Sequence, residues 1–408
     1  MTSLAYREIR YGAESELQTV GVWELPAAER VAAANSDRYW FVYIHGGAWR
    51  DPRCLTETAV PAIDRLLAGT SPSSRSAYMG RDRLAGFASI GYRLSPHPQF
   101  PQDPATTPPT ELRVARHPDH VRDVWAGLAA LANDGRSTAE QLTTSPPPPE
   151  EQHDLVAPGS PADYIAHDRY IVYGHSCGAF LAFQLWMGAQ AVEPADFSVP
   201  VTVSPPPPPP TIPRCIVGLE GIYDLRGFVA RGGSPAHGGG PGTGFAEALR
   251  VIVEGAFGAD RAAWDAASPG RFDWGRMGDD DGGSSSSSRS TRVEGETTDD
   301  KGKAHIPRPP PRLAVLAYST EDELVDDGEI DTMEQALKQG LAHRAAFSAL
   351  SSGGEPSEPY HYFALRDLRG RHDEVHEDGR EVARVLSETV WRLDRLGFNT
   401  PPDQTTKG

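Results

Sequence analysis

At 408 residues the chain has room for one large α/β domain or two smaller ones. Its formal charge of −17 and pI near 5.2 argue against nucleic acid or an anionic membrane as the main partner. A hydrophobic fraction of 38%, with 37 prolines and 41 glycines, implies that part of the length is not core. The three cysteines, Cys54, Cys177 and Cys215, show no zinc spacing and fit a reduced, cytoplasmic compartment. The start, with Arg7, Glu8 and Arg10, lacks the apolar stretch of a secretory signal. No window approaches the roughly 20 apolar residues of a membrane span.

In chain order, residues 17–25 alternate well enough for an antiparallel edge strand. Residues 39–44 are almost continuously apolar, as a strand covered on both faces requires. Further strands are expected at 84–90, 170–173, 215–219, 313–318 and 360–365. Helical spacing joins Val121, Val124, Trp125, Leu128 and Leu131 behind Asp119 as N-cap. It returns at Val382, Val385, Leu386, Val390, Leu393 and Leu396, with Gly397 placed to end the helix. Strands alternating with helices predict a mostly parallel sheet flanked by helices. The proline, glycine and serine tracts within 134–162, 203–212, 231–244 and 275–311 read as disordered insertions in a single domain spanning 1–408.

The chemistry is concentrated at Gly174-His175-Ser176-Cys177-Gly178, a G-x-S-x-G match between a β-prone run and an apolar helical one. Such a turn holds a serine nucleophile in a strained backbone, with glycines where side chains would collide with neighbouring elements. A serine hydroxyl needs a histidine base oriented by a carboxylate, in the chain order Ser, acid, His for this type of elbow. Asp322 lies just past the expected strand at 313–318; Glu321, Glu323, Asp326 and, more distantly, Asp224 compete for the acid. His372 precedes the last helix; His361 and His376 compete for the base. Upstream, His45-Gly46-Gly47-Ala48-Trp49 follows a strand and is suited to direct backbone N–H groups at an oxyanion, together with the amide of Cys177. Cys177 itself reads as a packing residue, His45 as an organiser of its loop, and Trp49 either as a substrate-ring contact or as core.

The stretch from His45 to Pro52, the run Tyr92-Arg93-Leu94-Ser95-Pro96, the elbow and Asp322-Glu323-Leu324 together resemble fungal kynurenine formamidase, an α/β-hydrolase with an H-G-G-x-W loop. The resemblance implies a Ser-Asp-His triad of Ser176, Asp322 and His372, with Gly46, Gly47 and Cys177 as oxyanion donors. It implies hydrolysis of N-formyl-L-kynurenine to L-kynurenine and formate, within tryptophan catabolism and NAD biosynthesis, by a homodimer without metal or other cofactor. Fold and triad do not set the acyl group, so a carboxylesterase or lipase-like hydrolase of small esters stays open, as does a catalytically inactive binding protein.

Overall fold

Tyr39–Ile44 alternates its side chains between two apolar layers, and this one strand organises the molecule. Trp40, Val42 and Ile44 enter one core cluster; Tyr39, Phe41 and Tyr43 enter the other. A strand covered on both faces has no use for a polar side, which is why it reads as an unbroken apolar run. The computed structural model describes residues 4–26, 29, 37–69, 79–134, 159–192, 212–235, 238–277, 312–350 and 360–397.

Its eight strands are β1 Ala5–Arg10, β2 Thr19–Glu24, β3 Tyr39–Ile44, β4 Leu84–Ile90, β5 Tyr170–His175, β6 Cys215–Leu219, β7 Arg312–Ser319 and β8 Tyr360–Leu368. They form one sheet in the order β1-β2-β4-β3-β5-β6-β7-β8. The pairs β1–β2 and β2–β4 are antiparallel, and every pair from β4 onward is parallel. The helices are α1 Val60–Ala68, α2 Asp119–Asn133, α3 Pro161–Ala166, α4 Cys177–Met187, α5 Leu225–Arg231, α6 Gly244–Phe257, α7 Arg261–Ala267, α8 Asp327–Leu350, α9 Glu374–Glu377 and α10 Arg380–Arg395. The α2 and α4 helices lie against the Trp40 face, and α1 and α10 against the Phe41 face.

The strands expected from β3 to β8 are present: β3, β4 and β6 have the expected bounds, and β5, β7 and β8 are extended by two or three residues. The run at 17–25 is antiparallel as expected, but it is not the edge. It pairs with β4 on one side and with β1 on the other. The edge strand β1 (AYREIR) exposes most of its side chains and so carries too little apolar signal to be read. Asp119 is the first residue of α2 rather than its cap; Pro118 takes that place. Gly397, in the left-handed region at φ +75°, donates its N–H to Asp394 O and ends α10 as expected.

Two margins of the expected insertions are ordered. Ser160 caps α3 by accepting the Asp163 N–H, and the described residues of 231–244 turn on hydrogen bonds from Gly240 N to Gly232 O and from Gly239 N to Ser234 O. Glycines there satisfy the backbone locally, a possibility that composition alone does not reveal. Most of 134–162 and 275–311, and all of 203–211, lie outside the described residues. Among the described residues no helix is long and apolar enough to cross a membrane.

The crossing of β5 into α4 explains two glycines. A Cβ on Gly178 would sit 2.1 Å from Ile44 O and 2.6 Å from His45 O, and one on Gly174 would sit 2.3 Å from Gly178 C. Helix and strand approach at backbone distance, so nothing flexible can yield. Gly178→Ala is therefore expected to cost at least about 1–3 kcal/mol as α4 backs away from β3. Urea unfolding checks this, and an unchanged midpoint would contradict the close approach.

Candidate active site

Ser176 follows β5 at φ +55° and ψ −123°, a backbone conformation that L-residues rarely hold, and forms the N-cap of α4. Its N–H is tied to Leu219 O on β6 at 2.9 Å, and neighbouring backbone leaves it only 6% exposed. Its hydroxyl is not hydrogen-bonded to His372. The Cys177 amide begins α4, where first-turn N–H groups have no acceptor inside the helix.

The loop after β3 is braced from several sides. His45 Nδ1 lies 2.9 Å from Gly46 O, and its ring stacks on Tyr92 at 4.1 Å. The Tyr92 hydroxyl donates toward His45 O at 3.0 Å and Gly46 O at 3.2 Å. Burial drives the His45 pKa down to about 4, so it is a neutral brace. Gly46 comes so close to the elbow that a Cβ on it would lie 3.4 Å from Ser176 Cβ and 2.9 Å from His175 Nδ1. Gly47 has φ +91°, and a Cβ there would meet Cys54. The Trp49 N–H is spent on Cys177 Sγ at 3.2 Å. The Cys177 thiol is buried, and burial raises its pKa to about 11, leaving a neutral packing group.

The substrate-contact reading of Trp49 is corrected here. The side chain has no exposed surface, and it packs edge-on against Phe180 and Phe257 at 5.5 and 5.0 Å. A large aromatic next to two others gains more from burial than from facing solvent.

On the other side, His372 Nδ1 lies 2.8 Å from Asp322 Oδ2, and both side chains are buried. Asp322 Oδ1 accepts the N–H groups of Leu324 and Val325 at 2.8 and 2.9 Å. Burial opposes charge on Asp322, but the imidazole and these donors outweigh it and hold the carboxylate below its ordinary range. Burial likewise opposes charge on His372, but Asp322, and after it Glu220, overcome this, so the imidazole pKa is raised. With Nδ1 committed to Asp322, Nε2 is the nitrogen left to act. The His372 ring lies 4.6 Å from that of His175, which directly precedes Ser176, and His372 O is 3.0 Å from His175 Nε2.

The competing groups are engaged elsewhere. Glu323 accepts the His372 N–H at 3.1 Å and Glu321 accepts the Gly370 N–H at 3.3 Å. Asp326 pairs with Arg231 at 2.6 Å, and Asp224 takes both ends of the Arg271 guanidinium at 2.7 and 2.9 Å. His361 lies within β8. His376, in α9, packs its ring edge-on against His175 at 4.4 Å, and burial lowers its pKa. The sequence reading missed Glu220, the residue directly after β6, which is fully buried with Oε2 3.6 Å from His372 Nδ1. Its only signal is its place one residue beyond a parallel strand, at the edge of the sheet where such folds assemble sites.

Glu220, Asp322 and His372 are the one group of three among the described residues whose donor atoms are close enough, within 4.8 Å, to hold a metal ion. Asp322 has both oxygens committed to N–H donors, and His372 Nδ1 is committed to Asp322. The donor set is that of a hydrogen-bonded cluster.

The strand order, the elbow after β5, and an acid–histidine pair joined from the loops after β7 and β8 decide the fold. The chain has the α/β-hydrolase fold. No protein-family model matches it. The chain is 25% identical to a kynurenine formamidase-like hydrolase of Fusarium equiseti over 388 residues, 94% of this chain and 93% of the relative. It is 33% identical to a kynurenine formamidase of Aspergillus versicolor over 189 residues, 46% of this chain and 45% of that one. Among solved structures, esterase B of Lactobacillus rhamnosis overlaps it with a TM-score of 0.49 at 14% identity, covering 97% of this chain and 89% of that one. The similarity to the formamidase-like hydrolase extends beyond the motifs to almost the whole length of the chain, and that to the kynurenine formamidase covers just under half of it.

Proposed function

We propose that this hydrolase cleaves N-formyl-L-kynurenine to L-kynurenine and formate, with Ser176 as nucleophile, His372 as base and Asp322 as its orienting acid. The observation that carries the reading is the 2.8 Å bond from His372 Nδ1 to Asp322 beside the strained elbow, in a chain similar to a formamidase-like relative over 94% of its length. In the first step His372 Nε2 takes the Ser176 proton as Oγ bonds to the formyl carbon. The carbonyl oxygen gains charge and is met by the N–H groups of Gly46, Gly47 and Cys177. The imidazolium then returns the proton to the aryl nitrogen, the C–N bond breaks, and L-kynurenine leaves. Water, deprotonated by the same imidazole, attacks the formyl ester; formate leaves and Ser176 is regenerated. On this reading the chain acts in tryptophan catabolism.

A cavity of about 410 Å³ begins one residue beyond the oxyanion loop, lined by Arg50, His97, Gln99, Glu247, Ala248 and Val251, among others. That size suits a small molecule. Arg50 is half-buried, its charge disfavoured by desolvation and only partly supported by the nearby Asp51, and among the described residues it forms no salt bridge. This environment supports a substrate that brings its own carboxylate. Arg50→Ala is expected to raise KM for N-formyl-L-kynurenine by about ten-fold or more with little change in kcat, while formanilide, which has no carboxylate, is unaffected. Equal losses on both substrates would remove Arg50 from carboxylate recognition. The function itself is tested by side-by-side turnover of N-formyl-L-kynurenine and p-nitrophenyl acetate. A higher kcat/KM is expected for the formamide; turnover of the ester alone would overturn the assignment.

A further inference from the structure

Two carboxyl groups, not one, approach the imidazole of His372. Asp322 Oδ2 lies at 2.8 Å from Nδ1 and Glu220 Oε2 at 3.6 Å, and neither carboxyl side chain has exposed surface. Their surroundings differ. Asp322 receives three donors: the N–H groups of Leu324 and Val325 and the imidazole. Glu220 receives one, the Ser319 N–H on Oε1 at 2.8 Å, and its Oε2 is buried without a donor. The titratable groups facing Glu220 are Asp322, His372 and the phenols of Tyr223 and Tyr318. Two adjacent buried carboxyls do not both ionise, and the proton goes to the one whose charge is less supported.

We propose that Glu220 is a positioning residue that holds a proton in the resting enzyme and donates it from Oε2 toward Asp322, leaving Asp322 as the single charged carboxylate on His372. The assignment rests on the reading of Asp322 and His372 as acid and base. It also has a chemical consequence for that reading. Two ionised carboxylates beside one buried imidazole would keep it protonated and unable to accept the Ser176 proton; one neutral and one charged leave it free to titrate in the working range. Burial, the largest influence on Glu220, pushes its pKa upward in the same sense. The backbone of Glu220 sits in the left-handed region at φ +50°, so the chain accepts local strain to place this side chain.

Infrared difference spectra of the wild type minus Glu220→Gln at neutral pH test the proton directly. The C=O stretch of a protonated carboxylic acid should appear in the wild type and vanish in the variant; its absence from the wild type overturns the proposal. The pH profile of kcat/KM tests the role. Glu220→Leu removes the donor, concentrates charge on the Asp322 oxygen facing His372, and should move the acid limb up by about one pH unit. Glu220→Gln still donates from an uncharged group, and should recover about ten-fold or more of the activity lost in Glu220→Leu, with its acid limb at the wild-type pH. A downward shift in both variants would mean an ionised Glu220, and no shift in either would mean simple packing; each overturns the proposal. If Glu220→Leu does not fold, the infrared band decides, and a downward shift of the Glu220→Gln limb still overturns the proposal. The infrared result does not depend on turnover, whereas failure of the triad reading would appear as full activity in Ser176→Ala.

Discussion

Ser176→Ala is expected to lower kcat for N-formyl-L-kynurenine by about a million-fold, the scale on which removal of a serine nucleophile acts when its partners work as a unit. The fold should survive the change. The Ser176 hydroxyl is not bonded to His372, and alanine leaves the hydrogen bond of its N–H to Leu219 O in place. Residual turnover above the uncatalysed rate is expected, because the backbone donors at Gly46, Gly47 and Cys177 remain to stabilise the oxyanion. Stopped assays on protein whose unfolding midpoint matches the wild type check this. Retention of more than a small fraction of activity would remove Ser176 from the reaction.

The second large effect belongs to Asp322. Asp322→Asn preserves shape but presents an amide that does not hold the imidazole in the tautomer with its proton on Nδ1, and a loss of about 10⁴ in kcat is expected. The pH dependence gives the sign. Burial alone would lower the His372 pKa; Asp322 is the larger of the two carboxyl influences, with Glu220, that reverse this and raise it. Without that carboxylate the folded-state pKa falls, so the acid limb of the residual kcat/KM profile should move to lower pH. A limb that stays in place, or moves up, would show that another group controls the base.

The parts of this site that could be read from the sequence are those whose physics is local. The elbow is visible because helix α4 meets strand β3 at backbone distance at Gly178 and folds back onto the end of β5 at Gly174, which forces glycine at both positions. The strands from β3 to β8 are visible because most are buried on both faces and need no polar alternation. The order of acid and base could be set out because loops after successive parallel strands converge at one edge. Other features depend on three-dimensional company. Strand β1 is polar and exposed, so nothing in its six residues distinguishes it from a loop until β2 pairs with it. Trp49 sits in a loop that carries backbone donors, yet Phe180 and Phe257, far along the chain, draw its ring into the core. Glu220 is one of many acidic residues in the sequence; only the packing of β6 beside β7 brings it to Ser319 and His372.

The tyrosine of the Tyr92-Arg93-Leu94-Ser95-Pro96 run has a role that its pattern did not disclose. Its hydroxyl holds the carbonyls of His45 and Gly46, fixing the direction of the loop expected to meet the oxyanion. Arg93 anchors the same run to Asp123 on α2 at 2.8 Å, and Ser95 Oγ holds Ala115 O at 2.8 Å. A loop so braced arrives preorganised, which is the condition for electrostatic stabilisation without reorganisation during the reaction.

The central claim is that Ser176 becomes covalently acylated through His372. A fluorophosphonate that traps activated serines, followed by peptide mass spectrometry, tests it most directly. One adduct per chain is expected, on the peptide containing Ser176, formed rapidly by the wild type and lost in Ser176→Ala and His372→Ala. An adduct on any other residue, or equal labelling of Ser176 when His372 is absent, would contradict the account.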